Sequence, residues 1–254
     1  MSVEIALWSV AIFLAAALAA AFRGRAAGTR TLVYGACLAV SGIGFLAAIS
    51  HLLSGGAPAT AILPLGIPWI GAHFRVDALG AFFLVVVNLG GAAASFYALG
   101  HGRHEPAPHR VLPFFPAFLA AMNLVVLADD AFTFLLSWEV MSLASWALVM
   151  AHHRVEGNAR AGYVYLVMAN FGTLALLLAF GLLAGVDGSY GFGAIRAAGG
   201  HAPWAGALVL GLVLLGAGSK AGIVPLHVWL PLAHPAAPSH VSALMSGVMT
   251  KVAI

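Results

Sequence analysis

Charge is what this chain has least of. Only 7% of its 254 residues are Asp, Glu, Lys or Arg and its mean hydropathy is +1.01, whereas a soluble domain carries about 25% charged residues. A water-exposed globular fold is excluded, and the bilayer is the solvent to reason with. A single cysteine, Cys37, excludes an intramolecular disulfide, so packing alone holds the fold. No catalytic triad, P-loop, dinucleotide fingerprint or cysteine cluster is present, so no cofactor is expected in this chain. The pI near 9.4 and formal charge of +3 come without any aromatic-interleaved basic patch, which argues against nucleic acid as a partner. The N-terminus lacks the Lys/Arg flank of a secretory signal and reads as a first membrane helix.

Long apolar runs are what the chain does have. A span of about 30 Å of hydrocarbon needs about 20 apolar residues. Ile5–Phe22, Thr31–Leu53, Ala78–Gly100, Val111–Ala128 and Ala161–Val186 contain no Asp, Glu, Lys or Arg. Ala131–Ala151 holds one, Glu139; Trp204 to about Leu230 holds Lys220; and Ser239–Ile254 holds Lys251. The eighth run stops without a polar flank, which raises the expectation that the sequence is part of a longer protein. An all-α, polytopic transmembrane bundle is therefore predicted, with its helices broken where proline intrudes.

The arginines sort by loop. Loops after runs one, three and five contain Arg23, Arg25, Arg30, Arg103, Arg110, Arg154 and Arg160, while the alternate side has only Arg75 and Arg196. This bias places the N-terminus outside and the arginine-rich loops in the cytoplasm. Two longer loops are read as outer caps: Ser54–Asp77, with Pro58, Pro64, Pro68 and Trp69, and the Gly-rich Asp187–Pro203. The pair Asp129 and Asp130 is read as a solvated helix N-terminus in a tight outer turn.

Three ionisable residues remain inside apolar runs, where charge costs from about 2.5 to over 10 kcal/mol and so marks function by default. Glu139 is the ninth residue of a 21-residue run, with Ser142 and Trp146 on its face. A structural pair locking two helices is the rival reading. Lys220 sits between Gly218 and Gly222, a small-xxx-small spacing that admits a close helix, and Pro225 follows it. Proline breaks the helix there. Burial lowers a lysine pKa from its usual value of about 10.4 and a nearby carboxylate raises it again, so Lys220 is either a proton carrier tuned by Glu139 or half of an inert ion pair. Lys251 lies eleven residues after His240 and on nearly the same face of a continuous helix, in line with Ser239, Ser242, Ser246 and Thr250; an interfacial snorkelling lysine is the alternative. His227 and His240 are candidate relays and His234 is as readily a structural hydrogen-bond partner. Their spacing matches no metal motif.

SWEVMSLASWALV (Ser137–Val149) and SKAGIVPLHVWLPLAHPAAPSHVSALMSGVMTKVAI (Ser219–Ile254) resemble the antiporter-like subunits of respiratory complex I and of multisubunit cation/proton antiporters. Within that group the run HPAAPSHVSALMSGVMTKVAI is most similar to component B of hydrogenase-4 and formate-hydrogenlyase type membrane-bound hydrogenases. The likeness is diffuse before about Pro113, which suggests a three-helix region over 1–112 followed by the first part of an inverted-repeat antiporter-like module over 113–254. It implies a multi-pass subunit of the inner (plasma) membrane that contains no redox centre itself. Membrane and peripheral redox subunits would be its partners, and it would translocate protons through Glu139, Lys220, Lys251, His227 and His240 beside a helix break at Pro225. A sodium/proton antiporter subunit and a structural hydrogenase anchor are the alternatives. Leu232 stands where many relatives have an acid, and the second half of the repeat is not in this sequence.

Overall fold

The structure is a computed structural model, described for residues 2–26, 28–66, 71–185, 188–199 and 202–253. Pro68, Trp69, Asp187 and Ile254 lie outside the described residues. The long helices are α1 (Val3–Arg23), α2 (Thr29–Leu53), α3 (Ala78–His101), α5 (Phe114–Leu127), α6 (Ala131–Val149), α7 (Asn158–Ala184) and α9 (Pro203–Ala221). Shorter helices are α4 (Pro108–Val111), α8 (Phe192–Ala198), α10 (Leu230–Ala236), α11 (Ser239–Leu244) and α12 (Thr250–Val252). Among the described residues seven helical stretches are long and apolar enough to cross a membrane. Many outward-facing side chains are large and apolar, including Trp8, Phe96, Leu174 and Trp204. Lipid, not water, suits that surface.

The core is organised around α5. Phe115, Phe118, Leu119, Ala120, Ala121 and Met122 are all fully buried, because α1, α3 and α6 each lie against this helix. A polar clasp fixes the α3–α5 register: Asn88 Nδ2 donates to Asn123 Oδ1 at 2.9 Å, and each amide also donates to the carbonyl one turn earlier in its own helix. Asn88 thereby commits both of its amide hydrogens, which lowers the cost of burying it.

The all-α expectation needs one amendment. Within the predicted outer cap, β1 (Ala59–Leu63) and β2 (Ala72–Val76) form a two-stranded antiparallel ribbon pairing Ala59 with Val76 and Leu63 with Ala72. This ribbon corrects the reading of Asp130, which is fully buried. Asp130 Oδ1 accepts the Thr133 N–H at 2.8 Å as the N-cap of α6, and Oδ2 accepts the His73 N–H of β2 at 2.9 Å. One carboxylate thus ends a helix and pins a strand, work that water was expected to do.

Helices α7 and α9 approach so closely that only glycine fits between them. A Cβ on Gly216 would stand 2.8 Å from the Gly172 carbonyl oxygen, and one on Gly172 would stand 2.9 Å from that of Gly216. Both obstacles are backbone atoms, which cannot rotate away.

Two outcomes are expected from this packing. Asp130→Ala should destabilise the protein by about 2 kcal/mol, since a helix cap and a second buried N–H acceptor are lost together; amide exchange at His73 should accelerate, and unchanged exchange there would refute the pinning role. Gly172→Val should part α7 from α9 at a cost of about 1–3 kcal/mol, read as a lowered thermal midpoint in detergent, whereas Gly181→Val, where a Cβ would meet nothing within 4 Å, should leave it unchanged.

Candidate functional site

Lys220 lies one residue before the end of α9 and is only 2% exposed. The helix stops at Ala221 because Gly222 adopts the left-handed conformation, φ 75°, and its N–H and that of Ile223 both close on the Gly218 carbonyl. The break therefore begins at Gly222, with Pro225 in the turn beyond it, and the chain resumes as a 3-10 turn over Leu226–Trp229 before α10. Trp229 donates its indole N–H to the Ser219 carbonyl at 2.7 Å. One carbonyl at the helix end is thus satisfied inside the protein, as the bilayer requires.

Around the lysine nitrogen the partners are hydroxyls. Lys220 Nζ donates to Ser142 Oγ at 2.7 Å and to Tyr165 Oη at 2.9 Å, and it stands 4.9 Å from the centroid of the Tyr165 ring. Donor directions can be assigned along the chain. Ser142 and Ser145 donate to the carbonyls of Trp138 and Met141 in α6, so Ser145 Oγ, 2.6 Å from Tyr165 Oη, accepts from it. Ser142 and Ser145 repeat at three-residue spacing along α6 and Tyr165 descends from α7, so three elements converge on one nitrogen. Trp229 packs edge-on against the Tyr165 ring at 4.9 Å and closes the site.

Glu139 is not in contact with that nitrogen. Ion pairs among the described residues are Arg75–Asp77, His152–Glu105 and Arg196–Asp129, and a Glu139–Lys220 pair is not one of them. The rival reading of an inert contact ion pair therefore does not describe this structure, in which the lysine nitrogen is bonded to hydroxyls. Helical phase supplies the reason: three residues separate Glu139 from Ser142, leaving them about 60° apart around the axis, and Lys220 occupies the bearing of Ser142. Glu139, half-buried, lines instead an apolar groove of about 730 Å³ between α1, α6, α7 and the ribbon.

The histidines and Lys251 are spread further. His240 is buried, with Nε2 3.2 Å from Tyr34 Oη of α2 and its ring against Phe115, while its Nδ1 has no hydrogen-bond partner. His227, in the 3-10 turn, also has a buried Nδ1 without a partner. His234 Nδ1 bonds Ser242 Oγ at 2.9 Å and the ring stacks on Trp229, tying α10 to α11. Lys251 is exposed and bonds within its own helix, to the Ser246 carbonyl at 2.8 Å and Thr250 Oγ1 at 3.1 Å. His240 and Lys251 do not share a face. Met245–Met249 form a π-helical turn, and one inserted residue rotates the rest of the helix by about 100°. Among the described residues no hydrogen bond joins His227, His240 or Lys251 to Lys220.

Tyr165, Ser145 and Met249 are the site residues that sequence reasoning missed. The π turn reaches the site through Met249 Sδ, 3.7 Å from Tyr165 Oη. The repeat of hydroxyls after Glu139 was a usable signal for Ser145. Tyr165 carried none, since it is one of two tyrosines in GYVYL and the choice between them is made by the rotation of α7.

Comparison with known proteins agrees with this architecture. The family model described as NADH:quinone oxidoreductase/Mrp antiporter, TM, matches residues 128–254. Hydrogenase-4 component B of Escherichia coli K12 is 36% identical over 255 aligned residues, covering 100% of this chain and 38% of its own length. Uncharacterized protein Rv0083 of Mycobacterium tuberculosis H37Rv is 42% identical over 188 residues, 74% of this chain and 29% of that protein. In the solved structure of the Mrp complex from Dietzia sp. DQ12-45-1b, one chain superposes with a TM-score of 0.79 at 26% identity, over 100% of this chain and 47% of that one. The chain thus spans less than half the length of each. With its apolar helices and this matched half, the chain is a multi-pass membrane protein and belongs to the NADH:quinone oxidoreductase/Mrp antiporter transmembrane family.

Proposed function

We propose that this chain carries part of a proton-translocation route in a multisubunit membrane complex, with Lys220 as the proton carrier. The observation that carries the reading is a lysine 2% exposed whose hydrogen-bond partners are neutral hydroxyls. An ammonium so placed is only partly compensated, because hydroxyl dipoles and a ring face offset less of its lost hydration than a contacting carboxylate would. Its charge state then depends on Glu139, which acts across a gap. When the carboxylate is charged and near, the ammonium is favoured; when the carboxylate is protonated or drawn away, the proton is released.

Tyr165 orients the amine and offers one hydroxyl step, towards Ser145, whose own proton is held by a backbone carbonyl. His227 and His240 are assigned as relays, each with a buried ring Nδ1 that has no hydrogen-bond partner among the described residues, and Lys251 as the onward carrier. Pro225 lies in the turn beside the carrier, where its missing N–H keeps the chain from continuing as α-helix. The likeness to hydrogenase-4 component B favours redox subunits as the source of driving energy, with the N-terminus outside an inner (plasma) membrane as the arginine bias suggests. The likeness to a chain of the Mrp complex favours, as a second reading, cation/proton exchange.

In the complete complex, Lys220→Ala should cut proton pumping per electron at least tenfold while the complex still assembles; pumping and redox turnover both equal to the native complex would refute the carrier role. Tyr165→Phe keeps the ring beneath the amine and removes its acceptor, so pumping should slow several-fold with thermal stability little changed. Sodium-dependent exchange in vesicles containing the antiporter assembly alone would select the second reading.

A further inference from the structure

At the arginine-rich end lies a cavity of about 400 Å³ whose lining includes Gly24, Arg25, Arg30, Thr31, Arg103 and Glu105 and none of the residues that contact Lys220. It sits where the loop joining α1 to α2 meets the loop leaving α3. We propose that this cavity binds the phosphate headgroup of an anionic phospholipid.

The electrostatics are one-sided. Three guanidiniums line the cavity, and none has an ion pair within 4.0 Å or a hydrogen bond among the described residues. The one carboxylate present is already engaged: Glu105 Oε1 lies 2.6 Å from His152 Nε2 and accepts the Ala107 N–H at 3.2 Å. Arg30 Nε is buried with no partner, which is costly for a charged donor unless a ligand completes it. Its stem is held in place, since a Cβ on Gly102 would stand 3.5 Å from Arg30 Cδ and 3.2 Å from Tyr34 Cε2.

A second feature aims at the same space. Helix α2, 25 residues long, begins after Gly28, at φ 84°, with no side-chain cap on its first N–H groups. The Thr29 N–H closes on the Ala26 carbonyl at 3.3 Å and the Leu32 N–H on that of Gly28 at 3.0 Å, which leaves, among the described residues, the Arg30 and Thr31 amides of this first turn to attract an anion, and Thr31 lines the cavity. Guanidinium forks match phosphate oxygens in pairs.

Lipid is favoured over a free anion by what lies alongside. Phe22, 88% exposed and two residues before Gly24, and Leu32, 64% exposed and next to Thr31, put large apolar side chains on the two helix ends that supply the cavity's lining. A headgroup in the cavity leaves its acyl chains running down these side chains, in the manner of basic pockets between helix ends.

The test uses the 254-residue chain in neutral detergent, titrated with phosphatidylglycerol or with phosphatidylcholine of the same acyl chains and read by native mass spectrometry. One phosphatidylglycerol should be retained in preference to phosphatidylcholine. Arg25→Gln/Arg30→Gln/Arg103→Gln should weaken retention by about tenfold or more, since each surface arginine contributes substantially to anionic-lipid attraction. Arg154→Gln/Arg160→Gln removes charge elsewhere on the same end and should leave retention unchanged. Should the triple variant misfold, Arg103→Gln alone, altering an exposed side chain, should still lower retention several-fold. Equal retention of the two lipids, or equal losses in the cavity and control variants, would overturn the proposal. Displacement by millimolar inorganic phosphate, with phosphate bound equally well in the absence of lipid, would assign the cavity to a free anion and overturn the lipid reading.

Discussion

A single amine buried in an apolar bundle sets the terms for the structure around it. Lys220 is buried, so each favourable interaction its nitrogen makes has to be supplied by neighbouring helices, and two of them, α6 and α7, are brought in to do so. The glycines at 172 and 216 let α7 and α9 approach until Tyr165 reaches the amine. The ending of α9 at Gly222 lets the chain turn back, so that Trp229 covers the tyrosine and takes up the Ser219 carbonyl. Replacing any of these parts by a continuous helix would leave either the amine or the backbone without partners.

On the proposed reading, the same arrangement separates holding the proton from tuning it. Hydroxyls at contact distance orient the amine, while the Glu139 carboxylate sits aside, on the edge of the apolar groove. A contact ion pair would hold both groups charged and be expensive to part. On that reading, distance makes the coupling weaker and therefore adjustable through motion or protonation of Glu139. The π turn touching Tyr165 through Met249 gives α11 and α12 a mechanical link to the amine as well.

How much of this was legible in the sequence depends on which scale of information each feature uses. The membrane spans were legible because hydropathy over some twenty residues is a bulk property, and the buried charges stood out because the bilayer makes them rare. Their geometry was less so. The face shared by Glu139 and Ser142 was readable from helical phase, but which of the two meets Lys220 depends on the rotation of α6 against α9. The alignment of His240 with Lys251 assumed unbroken α-helix, and a five-residue π turn changes it. Asp130 looked solvated because nothing in the local sequence announces the ribbon that covers it, whose strands are short and flanked by proline and glycine. Family likeness pointed to Lys220 and Glu139, yet gave no reason to look at Tyr165.

The chain has only two lysines, Lys220 and Lys251, which makes the central claim directly measurable. Selective ¹⁵Nζ-lysine labelling yields two side-chain resonances, assigned by a Lys251→Arg variant, and the Lys220 resonance reports whether the amine is charged. If Glu139 controls the proton through space, Glu139→Gln at fixed neutral pH should reduce the ammonium fraction of Lys220 while its hydroxyl contacts persist. An ammonium fraction identical in the native and Glu139→Gln proteins would contradict the account.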